Sequence, residues 1–339
     1  MHKSLLFLFL SFGLYIQTIP AQNIQVLKVY EDSIMRLGRE INRSRSDEQK
    51  MALNKRLTSF VQKAAKSPNS INYTFDTLTF VSVLTSDDQQ IRFFTWAIRF
   101  RDGSYHYYGF AQTYVKSSDN YNLYRLNDYT ARLGRPDSKT LSPKKWYGAY
   151  YYRLIQNKSG SRTYYTLLGW KGKDKITTQK VIEVAFLKSN GDIVFGYPIF
   201  NIRNYKYFKN KRARRLIFTY SARVRMLLDY DVQSIHIEKH SKKKSSHKPS
   251  RGFTAQNKEV KEKVKVKTIT KPMIVIDRMV PPTPEMEGVY EFYIPETNII
   301  DALVFEHNRW NYYPDVDARN KAKDEAGQKP KKPLIYDLY

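Results

Sequence analysis

Arg101-Asp102-Gly103-Ser104 separates two runs rich in aromatic and β-branched residues, Gln90–Phe100 and Tyr105–Tyr114. Aromatic and β-branched residues fit a pleated surface, and Asp-Gly accommodates the positive φ of a tight hairpin turn, so a hairpin with a type I′ turn is expected here. The texture repeats down the chain. Tyr73–Leu84 precedes this hairpin, and Trp146–Gln156 and Thr163–Trp170 flank Asn157-Lys158-Ser159-Gly160 as a second one. Leu216–Leu228, Ile235–Glu238, Val264–Val275, Ala302–Phe305 and Trp310–Tyr313 read as further strands. Ile193–Phe200 reads as a strand after Ser189-Asn190-Gly191-Asp192, while Val181–Leu187 fits either a strand or a helical turn.

Residues 22–69 carry a different period. Leu27, Tyr30, Ile34, Leu37 and Ile41 recur at three and four, on one face of a helix. Ser46-Asp47-Glu48-Gln49 is a capping-box pattern, followed by the stripe Leu53, Leu57, Phe60, Val61 and Ala64. Ser67-Pro68-Asn69-Ser70 ends this unit. The expected fold class is therefore α+β: an N-terminal helical pair, then a mainly antiparallel β domain of repeated hairpins, 70–238 and 264–320. No period indicating a solenoid or propeller is present.

The ends and one insert lack these patterns. Met1–Lys3, the apolar run Leu5–Ile16 and Ile19-Pro20-Ala21-Gln22 form the expected signal peptide, 1–21, with cleavage after Ala21. The chain has no cysteine, hence no lipobox and no disulfide framework. The expected location is outside the cytoplasm, periplasmic or outer-membrane associated, and not as a lipoprotein. No later apolar run reaches the roughly 20 residues of a membrane helix. Residues 239–263, with Lys239-His240-Ser241-Lys242-Lys243-Lys244, read as a mobile basic insert. Residues 321–339 read as a Lys/Pro-rich tail ending in Leu334-Ile335-Tyr336-Asp337-Leu338-Tyr339.

The net charge of +26 asks for an anionic environment or partner. Export removes the usual nucleic-acid target, leaving lipid head groups, lipopolysaccharide, acidic glycans and acidic protein surfaces; a solubilising role is the bland alternative. Arg203, Lys206, Lys209, Lys211, Arg212, Arg214 and Arg215 are interleaved with Tyr205, Tyr207 and Phe208, and no acid intervenes. Charge combined with rings can hold a polyanion, although a solvated connector has the same composition. Tyrosine clusters, Tyr105-His106-Tyr107-Tyr108 and Tyr150-Tyr151-Tyr152, must place rings on both sides of a strand. Tyr105, Tyr107, Tyr150 and Tyr152 are the candidates for an exposed aromatic surface; sheet filling is the competing reading.

Catalytic chemistry is hard to find. His236 and His240 have chelating spacing but not the order His-Glu-x-x-His. Gly-x-Ser-x-Gly is missing, and Gly169-Trp170-Lys171-Gly172 lacks the pattern of a phosphate loop. Glu285 with Glu287, and Asp315 with Asp317, are carboxylate pairs beside Pro284 and Pro314. Such pairs serve glycoside hydrolysis when suitably spaced, but they are also ordinary at turns. The expectation is no catalytic set, no metal and no cofactor.

Leu167-Leu168-Gly169-Trp170, Phe195-Gly196-Tyr197-Pro198-Ile199-Phe200, Pro281-Pro282-Thr283-Pro284-Glu285-Met286-Glu287-Gly288 and Asp315-Val316-Asp317-Ala318-Arg319-Asn320 occur in this order. Together they resemble a family of uncharacterised exported envelope proteins from Bacteroidetes-group bacteria. The resemblance covers 72–238 and 264–320, and the basic insert and long tail depart from it. It implies a periplasmic or envelope protein, and further an accessory of the type IX secretion machinery, with no catalytic residue to carry over. The expected function is non-enzymatic binding of an envelope protein partner. A glycan- or peptidoglycan-binding module is the alternative, and nucleic acid is not an expected partner.

Overall fold

Two antiparallel helices open the structure. The computed structural model describes residues 21–240 and 264–316. Helix α1 (Ala21–Arg43) and helix α2 (Asp47–Lys66) join near Ser46, which is extended and whose side-chain Oγ accepts the Gln49 N–H at 3.3 Å. Ile34, Leu37, Leu57 and Val61 of their apolar stripes are fully buried, and Tyr30 and Phe60 are half-buried. Gly38 on α1 lies where a Cβ would fall 2.6 Å from Phe80 Cβ, so the helix seats closely on the chain below it.

That surface is a four-stranded antiparallel sheet in the order β1 (Ser82–Thr85), β2 (Ile91–Arg99), β3 (Tyr105–Val115), β4 (Asn120–Asn127). Period-two alternation divides its strands between two cores. Phe94, Trp96, Ile98 and Phe110 face the helices, while Phe93, Ala97, Tyr107 and Ala111 face the other way. The second face packs on a five-stranded sheet of β5 (Tyr150–Ser159), β6 (Arg162–Gly172), β7 (Thr177–Leu187), β8 (Ile193–Phe195) and β10 (Arg215–Ser221). The far side of that sheet packs on a third, ordered β11 (Leu228–His240), β12 (Val264–Val280), β13 (Ile294–Glu306), β14 (Arg309–Tyr313), β9 (Phe200–Asn201). The layers thus run helices, sheet, sheet, sheet. The middle sheet has cores on both sides, which is why β6 and β7 are buried along nearly their whole length on alternating residues alike. All strand pairs are antiparallel except β14 with β9.

The α+β class with N-terminal helices and repeated hairpins holds, and its details shift. Of the expected strand Tyr73–Leu84 only Ser82–Leu84 is extended in a ladder, as part of β1. Phe75 sits at φ 53° and buries its ring under the helices against Phe94. The hairpin turn after β2 is a three-residue loop rather than type I′. Phe100 N–H donates to Ser104 O, Gly103 N–H donates to Phe100 O, and Gly103 alone carries the positive φ, 93°. Val181–Leu187 is strand, its register with β6 setting the choice. Ile193–Phe200 breaks after Phe195, where Gly196 turns at φ 87°. The strand from Trp146 begins only at Tyr150, because the chain first turns through Gly148 at φ 73°.

Leu216–Leu228 is two strands, β10 and β11, parted by Ala222–Leu227. Strand β4 had no counterpart in the sequence reading; its polar alternation follows from an edge position. Lys239 and His240 belong to β11, paired with Lys265 and Val264, so the ladder extends into the expected insert. The rest of the insert, the tail and residues 1–20 of the expected signal peptide lie outside the described residues. No helix among the described residues is long and apolar enough to cross a membrane.

Candidate functional site

The basic–aromatic connection between β9 and β10 is anchored rather than free. Ile202 and Ala213 are buried at its two ends. Tyr205 is buried and stacks on Tyr312 of β14, with ring centroids 4.0 Å apart and planes 9° from parallel. Phe208 meets the edge of Tyr205 at 5.1 Å. Arg214 N–H donates to Asp137 O at 2.7 Å, and Asn210 Nδ2 donates to Asp137 Oδ2 at 2.6 Å. With its rings turned inward, the segment turns Arg203, Lys206, Lys209, Lys211 and Arg212 outward as exposed cations.

Arg214 is half-buried, and Arg215 does not belong to this surface. Arg215 is the first residue of β10 and points between the first two sheets, where its Nε donates to both oxygens of Glu183 at 3.0 and 2.9 Å. Neither side chain has any exposure, so strand alternation, not charge, decides its fate. Burial pushes the Glu183 carboxyl up, and the adjacent guanidinium pulls it partly back.

The inward rings of 203–209 form one wall of a cleft of about 770 Å³. Arg278–Pro281 at the end of β12, the turns of 284–293, and Tyr312 and Pro314 after β14 complete it. Five tyrosines line it: Tyr205, Tyr207, Tyr290, Tyr293 and Tyr312. Behind the wall Asp301, itself without exposure, accepts Arg278 Nη2 at 2.5 Å, Tyr312 Oη at 3.0 Å and the Asp315 N–H at 3.0 Å. The carboxylate holds the Arg278 guanidinium above its ordinary range, so this charge is neutralised within the wall. Lys206 and Lys209 are the exposed cations of the lining, and Glu287 is its exposed acid. Beside it Val289, Tyr290, Phe292 and Ile294 are each about 40% exposed, an apolar lip of a kind that marks contact surfaces.

One of the four sequence motifs noted above, Pro281–Gly288, lies at this cleft, and Asp315 of another bonds the Asp301 carboxylate behind it. Pro281, Pro284, Glu287 and Gly288 line the cleft.

The four tyrosines expected on an aromatic surface serve packing instead. Tyr107 is buried between the first two sheets, donates to Gly172 O at 3.0 Å and lies 4.1 Å from the Lys171 ammonium. Tyr150 is buried beside Trp170. Tyr152 is half-buried and donates to Leu228 O at 2.7 Å. Tyr105 meets the edge of Trp170 at 5.1 Å and is half-buried at a second cleft of about 550 Å³. Tyr150 and Tyr152 belong to the middle sheet, which has no solvent face to lend, and Tyr105 and Tyr107 lie on the face of the first sheet that the middle sheet covers. Tyr290 and Tyr293 were not singled out by sequence, because only the fold brings them opposite Tyr205 and Tyr312; the one local signal was the proline-rich run before them.

Among the described residues two lysines are buried. Lys171 donates to Thr130 Oγ1, Tyr147 O and Gly148 O at 2.8, 3.0 and 2.6 Å, and burial lowers it to about 8. Lys180 sits 4.5 Å from the Tyr152 ring, and burial lowers it to about 7 against the pull of Asp229 and Asp277. Glu285 and Glu287 are both exposed. His236, His240 and Asp317 fall where side chains are not described. Among the described residues no group of three or more His, Asp or Glu could hold a metal ion. Comparison with protein-family models, curated proteins and solved structures finds no match, so the site is argued from its geometry.

Proposed function

We propose that this chain is an exported, non-enzymatic binding protein of the cell envelope, with the tyrosine-walled cleft as its contact site. The carrying observation is that concavity, five ring faces and an apolar lip coincide in one place. Clefts of several hundred Å³ lined by rings with a few fixed polar groups are the usual form of a binding site. The finer reading is an accessory of an envelope complex such as the type IX secretion machinery. It draws on the family resemblance, one of whose motifs, Pro281–Gly288, lines the cleft.

A photo-reactive residue placed at Tyr290 tests this in intact cells, with one at exposed Lys28 on α1 as the control. The expected result is export of the chain and a defined envelope adduct from position 290 that is lacking at 28. Retention in the cytoplasmic fraction would refute export. Identical adducts from both positions, or none from 290, would refute the cleft as the contact site.

A further inference from the structure

The cleft continues past its own rim. A recess of about 350 Å³ lined by Asn201, Arg203, Asn204, Arg309 and Tyr312 shares Asn204 and Tyr312 with it. The two form one trough, ring-walled at one end and flanked by guanidinium groups at the other. Arg203, Lys206, Lys209 and Arg309 are exposed along it, and none is in an ion pair with another described residue. Arg278 is already matched by Asp301 and Glu296, so these four carry the free positive charge against the one exposed acid, Glu287. The trough is built for an elongated anion.

Its walls also say what kind. Pro281, Pro284 and Pro314 line it, and proline has no N–H to offer a peptide ladder. Tyrosine rings present flat apolar faces with a polar tip, matching a sugar ring with its C–H face and its hydroxyls. The decisive group is Tyr205. It is 2% exposed, lines the cleft, and its hydroxyl has no hydrogen-bond partner among the described residues. A buried hydroxyl without a partner is costly, and a sugar hydroxyl, donor and acceptor at once, can meet it in either role.

We infer that the trough binds a linear acidic glycan, with pyranose rings against the tyrosines and carboxylates along Arg203, Lys206, Lys209 and Arg309. This rests on the binding role proposed for the same cleft and names its ligand class.

The test is calorimetric titration of the full chain with oligogalacturonate, with neutral dextran and poly-glutamate of matched length as comparators. Oligogalacturonate alone is expected to bind well. Tyr290→Ala and a Lys206→Ala, Lys209→Ala pair should each weaken it by about tenfold or more, the size of one lost stacking or charged contact. These side chains are exposed, so urea midpoints should stay at the wild-type value. Tyr205→Phe should weaken binding while keeping or raising stability, which separates a ligand contact from a packing role. Equal affinity for poly-glutamate, insensitive to Tyr290→Ala, would reduce the trough to a generic anion surface and overturn the glycan. Equal affinity for dextran would overturn the role of the cations. No oligogalacturonate binding with the position 290 adduct intact would overturn the glycan and leave the contact site standing. Loss of both would overturn both.

Discussion

Replacing Arg215 with methionine strands the Glu183 carboxylate between two sheets with no exposure and no counter-charge. Removing one member of a buried pair costs about 3–5 kcal/mol. Arg215 Nη1 also donates to Pro136 O and to Lys139 O, the latter at 2.9 Å, tying the 136–139 turn to β10. Losing that donor leaves a carbonyl short by about 1–3 kcal/mol. Arg215→Met should therefore lower stability by about 4–8 kcal/mol, and Glu183→Met alone by about 3–5 kcal/mol.

The double variant removes both charges and fills the space with apolar groups, leaving mainly the carbonyl loss of about 1–3 kcal/mol. It should be more stable than Arg215→Met alone, and the cycle should show coupling of at least about 3 kcal/mol. Urea unfolding followed by fluorescence of the buried Trp96, Trp146 and Trp310 reads this directly. With a slope near about 3 kcal/mol per molar, the Arg215→Met midpoint should fall by more than about 1 M. If the double variant loses the sum of the singles to within about 0.5 kcal/mol, the buried pair is not an energetic unit and the reasoning fails.

Two further outcomes follow from buried groups. The unfolded chain holds the Lys180 and Lys171 protons to about pH 10.5, whereas the folded chain releases them near 7 and 8, so the unfolded state binds more protons in between. Stability should rise from about pH 7 to 9.5, by at most about 1.4 kcal/mol per pH unit for each lysine, and Lys180→Met should flatten the rise. Above that window buried Tyr107 and Tyr151, held above their ordinary range, reverse the trend as unfolded phenols ionise. A flat urea midpoint over the window would contradict the assignment. Gly38→Ala, a change worth about 1 kcal/mol of gain in a free helix, should instead lower the melting temperature, because the new Cβ meets Phe80 Cβ at 2.6 Å. A raised melting temperature would show that Phe80 yields.

Much of this architecture can be read locally. The helical stripes of α1 and α2, the Ser46 cap and the hairpins rest on three- and two-residue periods that neighbouring residues set among themselves. Within the basic connection, the stretch of cations and rings was legible, and most of its cations are exposed. Which residues leave that surface was not. Arg215 and Tyr107 look like their exposed neighbours in sequence, yet both end between sheets, since a second sheet covers the face they occupy. Strand alternation says that residues divide between two sides but not which side another layer will close. The cleft is also tertiary. Tyr205, Tyr293 and Tyr312 come from a connection, a turn and a strand far apart in the chain, and only the parallel pairing of β9 with β14 sets the first beside the last. Charge and aromatic content were determined by composition; the concave wall needed long-range pairing, because no local period encodes where three separate segments meet.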